Sequence, residues 1–333
     1  MKKYHHDIHI IRRDFEEEPL RDKNIKLHKI KKPWSDSDNI FLRLIGILYL
    51  EIYSIFLFSK LFSKVDYFYF LQSTQLFLPG LFFLKITDKD IIKITTRDYT
   101  KRRVIPLIRL IYSLSDIIVV FTDMMIKRLG IEDKIEKVFI WNYNYVHSKF
   151  TSERDIDERK YIGYIGRLAP EKNIENLIST AKKLGLRNNL IIAGGGQSFD
   201  EIKNICEKEG VEFVGKLSHY AVPDYMNKLK ILVLPSDTEG FPKIITEAMA
   251  CGTLVLCTDV GGISDVVKDG NNGFLLSSTS VESIRKGLER VLNIDDLDDI
   301  SKRAIDTINT KFSYSNAVDG YEELLKKLNR HDL

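Results

Sequence analysis

ILVLPSDTEGFPKIITEAMACGTLVLC, residues 231–257, decides how this chain folds. It opens on one apolar run, ILVLP (231–235), and closes on another, TLVLC (253–257). Neither run alternates polar with apolar residues, so each reads as a strand buried on both faces. Between them the spacing turns helical from about residue 242. Pro242 falls at the first helical position, where a missing N–H has no partner to lose. Strand, turn, helix and strand in succession make a βαβ unit, the building block of a parallel sheet.

The same alternation runs from end to end. Candidate strands fall at 7–12, 25–30, 65–70, 91–96, 116–121 and 136–141, with helical patterns near 40–62, 101–114 and 123–129. The polar stretch TSERDIDERK (151–160) reads as a linker. A second series of strands follows at 161–166, 189–194, 211–215, 231–235, 253–257 and 273–276. Helices at about 173–184, 198–208, 219–228, 242–251 and 281–292 separate them. The final pattern, FSYSNAVDGYEELLKKL (312–328), is an amphipathic helix. Its face of Phe312, Tyr314, Val318, Tyr321 and Leu324 needs a surface to pack on. Two Rossmann-like sheets in tandem are the expected fold, in keeping with 333 residues, more than one core fills.

Charge is unevenly spread. Residues 1–150 hold 26 Lys and Arg against 18 Asp and Glu, whereas the remainder hold 24 against 29. A basic first half suits phosphates or a membrane surface, with a solvated basic face as the plain alternative. The stretch IFLRLIGILYLEIYSIFLFSKLF (40–62) is long enough to span a bilayer, but Arg43, Glu51 and Lys60 make a span costly. A helix packed on its own sheet is the favoured reading, ahead of a membrane-surface helix. Cys206, Cys251 and Cys257 lack CxxC spacing and read as buried, reduced thiols of a cytoplasmic protein. Asp36-Ser37-Asp38, an Asp-x-Asp in a polar loop before a helix, reads as a helix cap rather than a metal site.

Four segments carry chemistry. In IGRLAPEKN (165–173), Arg167 and Lys172 stand at the end of a strand and can converge on one anion, although loop-end cations are common. In IIAGGGQ (191–197) the glycines allow a tight turn or a close backbone approach. Neither GK[ST] nor GxGxxG is present, which disfavours a Walker loop and a dinucleotide fingerprint. In PSDTEGFPKIITEAM the free amides at the helix start make an anion site. Glu239 precedes that helix and Glu247 lies more than a turn inside it. Two carboxylates flanking a phosphate site suit a ligand with hydroxyl groups on both sides of a diphosphate. In TDVGGISDVV, Gly261 and Gly262 make a further turn that a ligand could approach.

Together IGRLAPEKN, IIAGGGQ, VEFVGKLS, ILVLPSDTEGFPKIITEAMACGTLVLCTDVGG, DGNNGFLL and the closing helix resemble glycosyltransferase family 4 of the GT-B enzymes. The match is specific over about residues 140–330 and looser before them. The resemblance implies an α/β GT-B fold of two Rossmann-like domains facing across a cleft. An acceptor-side domain is expected over 1–150, a nucleotide-sugar-binding domain over 151–312, and a helix over 313–333 that crosses back to the first domain. It also implies a retaining, metal-independent hexosyl transfer, with a nucleotide sugar as co-substrate and no other cofactor. The expected acceptor is a sugar or lipid-linked sugar of surface polysaccharide or glycolipid synthesis. The expected location is the cytoplasm, at the inner face of the membrane, with peripheral contact through the first domain. Nucleic acid is not an expected partner.

By the same resemblance, Glu239, Arg167 and Lys172 are the catalytic set. Arg167 and Lys172 would hold the donor diphosphate with Gly166 and the backbone of Gly240, Phe241 and Pro242. Glu247 would bind the ribose, Glu239 the transferred sugar, and backbone near Lys216 and Leu217 the base. Arg97 stands near the place where the family often has a histidine on the donor sugar. YHHDIHII (4–11) resembles the family's second strand, so the first strand, Gly-rich loop and helix are expected to be missing from the first domain. That departure keeps a non-catalytic nucleotide-sugar-binding protein open as the alternative.

Overall fold

The structure is a computed structural model that describes residues 8–13, 25–30, 49, 52–53, 55–56, 58–61, 63, 67–71, 78–87, 90–95, 105–121, 123–141, 145–239 and 243–329. The chain divides into two compact units. One is built from the chain up to Thr95, Tyr99–Val119 and Asp133–Phe139, and the other mainly from Val120–Glu132 and Ile140 onward.

In the first unit β1 (Ile8–Arg13) and β2 (Ile25–Ile30) form a parallel pair with Ile8 opposite Ile25. A separate sheet holds β3 (Tyr67–Leu71), β4 (Asp90–Ile94), β5 (Ile117–Val120) and β6 (Val138–Ile140) in that spatial order. Helices α1 (Leu78–Ile86) and α2 (Ile105–Leu114) accompany it. Its core gathers Phe58, Phe68, Leu81, Leu84, Ile91 and Ile111. The described positions between 49 and 61 are helical, and Phe58 packs edge-on against Phe68 of β3, with ring centroids 5.3 Å apart. That contact is what a helix packed on its own sheet requires. Among the described residues no helix is long and apolar enough to cross a membrane. The sequence pattern does not announce α1, because LPGLFFLKI is almost wholly apolar and shows no period.

The second unit contains α3 (Asp123–Leu129) and a parallel six-stranded sheet of β7 (Tyr161–Arg167), β8 (Leu190–Gly195), β9 (Glu212–Gly215), β10 (Leu229–Leu234), β11 (Leu254–Thr258) and β12 (Phe274–Leu276). Its spatial order is β12-β11-β10-β7-β8-β9. Counted from β7 this is the doubly wound order 3-2-1-4-5-6, whose two halves meet between β7 and β10. Open sheets of this kind bind ligands outside the carboxyl ends of the strands at that meeting point. Fold topology therefore nominates the site before any side chain is considered.

Helices α4 (Ile174–Lys183), α5 (Phe199–Glu209), α6 (Val222–Met226), α7 (Lys243–Ala250), α8 (Ile263–Val266), α9 (Val281–Leu292), α10 (Asp298–Lys311) and α11 (Tyr314–Asn329) complete the unit. In α4, Ile174, Leu177, Ile178 and Ala181 are buried, the i, i+3, i+4, i+7 stripe of a helix on a sheet. Ser280 caps α9, its Oγ accepting the Ser283 N–H at 3.2 Å. The sequence pattern misses α10, since two of its buried positions are Ser301 and Ala304, which carry no hydrophobic signal.

Residues 151–160 are no free tether. Arg159 is buried, and its guanidinium donates to the carbonyls of Arg154 and Cys251, both at 2.7 Å, and to Thr253 Oγ1 and Ser152 Oγ, both at 3.0 Å. The closing helix finds a surface within its own unit. Trp141 Nε1 donates to the Ala317 carbonyl at 3.1 Å, and its ring lies tilted against Tyr321 with centroids 5.8 Å apart. Phe312 and Leu324 are buried, while Tyr314 stays half exposed. All three cysteines are free and buried, as their apolar surroundings foretell. Burial pushes the Cys206 thiol up to about 11 and Cys251 up to about 12, so both remain protonated.

Candidate functional site

β7 ends at Arg167, and the turn that follows carries Leu168 to Asn173. This turn lies directly over the glycines at the end of β8. Leu168 N–H donates to the Gly195 carbonyl at 2.9 Å, and Ser198 N–H to the Leu168 carbonyl at 3.1 Å. A Cβ on Gly194 would sit 1.8 Å from the Gly166 carbonyl oxygen, and one on Gly196 would sit 2.2 Å from that of Leu168. The Gly194–Gly196 run thus makes room for the chain's own backbone, which answers the choice that the sequence leaves between a turn and a close approach.

Three further bonds fix this edge, one within β7 and two that sew the turn to the loop after β10. Tyr164, buried in β7, donates its hydroxyl to the Arg167 carbonyl at 2.7 Å. Asn173, held left-handed at φ 51°, donates its amide to the Pro235 carbonyl at 3.0 Å. Asp237 N–H donates to the Glu171 carbonyl at 2.9 Å. The two halves of the sheet are thereby fixed to each other at their ligand edge.

Across that seam Lys172 meets Glu239. Lys172 Nζ lies 2.6 Å from Glu239 Oε1 and donates also to the Thr238 carbonyl at 3.1 Å. Glu239 Oε1 accepts a second bond, from Ser236 Oγ at 2.7 Å. The Ser236 carbonyl in turn accepts the Thr258 hydroxyl at 2.5 Å, so β11 supports the same loop. Side-chain exposure is 8% for Lys172 and 15% for Glu239, which makes this a largely buried pair. Among the described residues none donates a hydrogen bond to Glu239 Oε2.

Arg167 is placed differently. It forms an ion pair with Glu171, four residues on, and its side chain is 57% exposed. The Glu171 carboxyl is held below its usual range by its own backbone N–H and by the Arg167 hydrogen bond. The pair occupies one side of the guanidinium and leaves other donors for an anion. Sequence reading singled out neither Glu171 nor Ser236. Their only signal is proximity to residues already chosen.

Glu247 lies inside α7, half-buried, and no described residue donates a hydrogen bond to its carboxylate. Burial pushes this carboxyl up to about 7, against the lowering effect of Lys243 and Lys149. Gly166 lies beside Tyr164, its Cβ position 3.0 Å from the tyrosine oxygen. Leu217 is partly buried against the core and Lys216 is exposed, both in the loop after β9. Gly240, Phe241, Pro242 and Arg97 lie outside the described residues, as does Asp36-Ser37-Asp38. The structure therefore brings Arg167, Lys172 and Glu239 together at the β7–β10 seam, with Gly166 beside them and Glu247 in the helix that follows. Two cations, one oriented carboxylate oxygen and one uncompensated carboxyl can hold an anion and the hydroxyl groups attached to it.

The complex of Anabaena HepE with UDP has a related fold, with a TM-score of 0.72 at 16% identity over 92% of this chain and 87% of that one. The fold class is thus the GT-B type of α/β protein. An uncharacterised glycosyltransferase of Methanocaldococcus jannaschii is 29% identical over 50% of this chain and 47% of its own length. The alpha-D-kanosaminyltransferase of Streptomyces kanamyceticus is 27% identical over 49% of this chain and 45% of its own. The chain spans about half the length of the curated relatives it matches. Residues 148–307 match the model for glycosyl transferases group 1, and they contain the whole β7–β10 seam. That segment is a little under half of the chain, and over it the chain resembles the group 1 glycosyl transferases.

Proposed function

We propose that this protein moves a sugar from a nucleoside diphosphate to an acceptor, with retention at the anomeric carbon and without a metal. The observation that carries the reading is the Lys172–Glu239 pair across the β7–β10 seam, beside the anion-ready Arg167. In this reading Arg167 and Lys172 hold the diphosphate, with Gly166 and backbone from Gly240 to Pro242. Glu239 presents Oε2 to hydroxyls of the transferred sugar. Glu247 takes the ribose hydroxyls, backbone near Leu217 the base, and Arg97 the donor sugar. As the glycosidic bond breaks, negative charge gathers on the leaving diphosphate. Cations already in place lower that barrier without reorganising.

The acceptor in this reading is a sugar or lipid-linked sugar of surface polysaccharide or glycolipid synthesis, met at the inner face of the membrane. The excess of 26 basic over 18 acidic residues in 1–150 supports such a location. Exposed Tyr49, Ile52 and Phe56 on the described helical positions support it further. Salt-sensitive binding to anionic liposomes checks it, and no binding at low salt rejects it.

Calorimetry against UDP, GDP, ADP and dTDP, followed by donor-hydrolysis and transfer assays, tests the main reading. Glu239→Gln and Arg167→Ala are expected to abolish turnover, and EDTA to leave it intact. Unchanged turnover in both variants removes the site assignment. Tight binding with no turnover over many acceptors favours the second reading, a nucleotide-sugar-binding protein without catalysis.

A further inference from the structure

Among the described residues three cations are buried: Lys93, Arg159 and Lys172. Arg159 is satisfied by carbonyls and hydroxyls, and Lys172 by Glu239 and the Thr238 carbonyl. Lys93 is different. It is 4% exposed, and no described residue pairs with it or accepts a hydrogen bond from it. Its neighbours on the sheet are apolar: Ile91, two positions before it in β4, and Ile118, opposite it in β5, are both fully buried. No carboxylate offsets that environment, and desolvation alone draws the ammonium down to about 8. An apolar side chain of equal length would fit such surroundings at lower cost. The amine is nevertheless not sealed in. Among the described residues Asp265 Oδ2 is the one side-chain oxygen or nitrogen that is both shut off from solvent and without a partner. Lys93 Nζ, unbonded, therefore keeps a narrow opening to solvent.

Lys93 is the last residue but one of β4, at the carboxyl end of the parallel strands β3, β4 and β5. Open parallel sheets take their ligands beyond that end. Thr95, two positions on, projects from the same face of the strand. Its hydroxyl lies 3.2 Å from that of Tyr112 in α2, and both residues are buried. One positive charge and two hydroxyls thus share a face at one edge of the sheet. We propose that Lys93 is the cation of an oxyanion subsite at this edge, taking one phosphate or carboxylate group from solution with the Thr95 and Tyr112 hydroxyls as its further partners. Lysine acts as a point charge, so the hydroxyls supply the orientation that an ammonium alone does not. Arg167 and Lys172 belong to the other unit, and the subsite stands or falls independently of the donor reading.

The test is scanning calorimetry of full-length wild type, Lys93→Met and Arg167→Ala at pH 7, without added oxyanion and across a phosphate and an acetate series. Without oxyanion, Lys93→Met is expected to melt about 2 °C or more above wild type, because it removes an unpaired buried charge. Phosphate or acetate raises the wild-type melting temperature in a concentration-dependent way. In Lys93→Met the apparent affinity for that anion falls at least about tenfold, the loss of one charge-assisted bond. Arg167→Ala keeps the response. A response to phosphate alone identifies a phosphate ligand, and a response to acetate identifies a carboxylate as a ligand too; either supports the subsite. A Lys93→Met protein that melts below wild type, or does not fold, makes the amine a structural member of the core and overturns the inference. So does a wild type that responds to neither anion. A response that Lys93→Met keeps overturns it as well, and if Arg167→Ala loses that response the anion belongs to the donor site, which then stands without this one.

Discussion

Lys172 Nζ and Glu239 Oε1 lie 2.6 Å apart, although 67 positions separate them in the chain, because parallel pairing of β7 with β10 brings their two loops to one edge. The pair is largely buried, and both partners have other bonds: Lys172 to the Thr238 carbonyl, Glu239 to the Ser236 hydroxyl. Such a pair fixes geometry more than it adds net stability, since desolvation offsets most of the attraction.

Lys172→Met is expected to cost about 3 kcal/mol of stability, because it strands a carboxylate that water reaches poorly. Lys172→Met combined with Glu239→Gln is expected to cost clearly less than the sum of the single changes, as coupled neighbours do. Urea denaturation of the four proteins measures both. Donor binding should fail in every variant, so recovery of stability without recovery of binding separates the structural part of the pair from its function.

Arg167 predicts the opposite balance. Its pair with Glu171 is exposed to solvent, and pairs of that kind contribute at most about 1 kcal/mol. Arg167→Ala should therefore unfold at nearly the wild-type urea concentration while donor affinity drops at least tenfold, the loss of about 1.4 kcal/mol or more of charge-assisted bonding. Equal losses in stability and affinity would show that Arg167 is a structural residue.

Glu247 predicts a pH signature. Its folded carboxyl is raised to about 7, above the ordinary value of 4.5, so ionising it is unfavourable in the fold. The sign follows: its contribution is most favourable below the unfolded value and is lost as pH rises toward the folded one. Glu247→Gln removes an ionisation that burdens the fold. It should leave stability at pH 4.5 nearly unchanged and raise it at pH 8 by about 2 kcal/mol, read as a higher melting temperature. The same change should abolish donor binding, which identifies Glu247 as a group kept for function at a cost in stability.

Much of this was legible in the residues themselves. ILVLP and TLVLC could be read as strands because buried parallel strands are continuously apolar, and β10 and β11 are buried almost throughout. Arg167, Lys172 and Glu239 could be nominated because each follows such a strand. What sequence could not supply was strand order: nothing in β7 or β10 says that they are neighbours, and without that the Lys172–Glu239 pair is invisible. Ser236 and Glu171 were missed for the same reason, as their partners are tertiary. Arg159 was read as part of a polar tether, since a charged residue gives no sign that four polar groups elsewhere in the fold, on Asn227, Leu229, Cys251 and Thr253, will satisfy it.

Gly196 offers the sharpest test of how the site is built. Its φ is 152°, and a Cβ there would meet the Leu168 carbonyl oxygen at 2.2 Å, a backbone atom that cannot step aside without moving the turn. That turn carries Arg167 into Lys172, so Gly196→Ala should reach the donor cations as well as the fold. Gly185 is the control: at φ 69° it is left-handed too, but nothing lies within 4 Å of its Cβ position. Gly185→Ala should cost only the left-handed penalty of about 1 kcal/mol and leave donor binding unchanged. Gly196→Ala should cost more than about 3 kcal/mol, or prevent the folded protein from accumulating. Thermal unfolding compares the two. Equal, small losses would mean that the turn is not pinned against the end of β8, and that the order of the donor cations has another source.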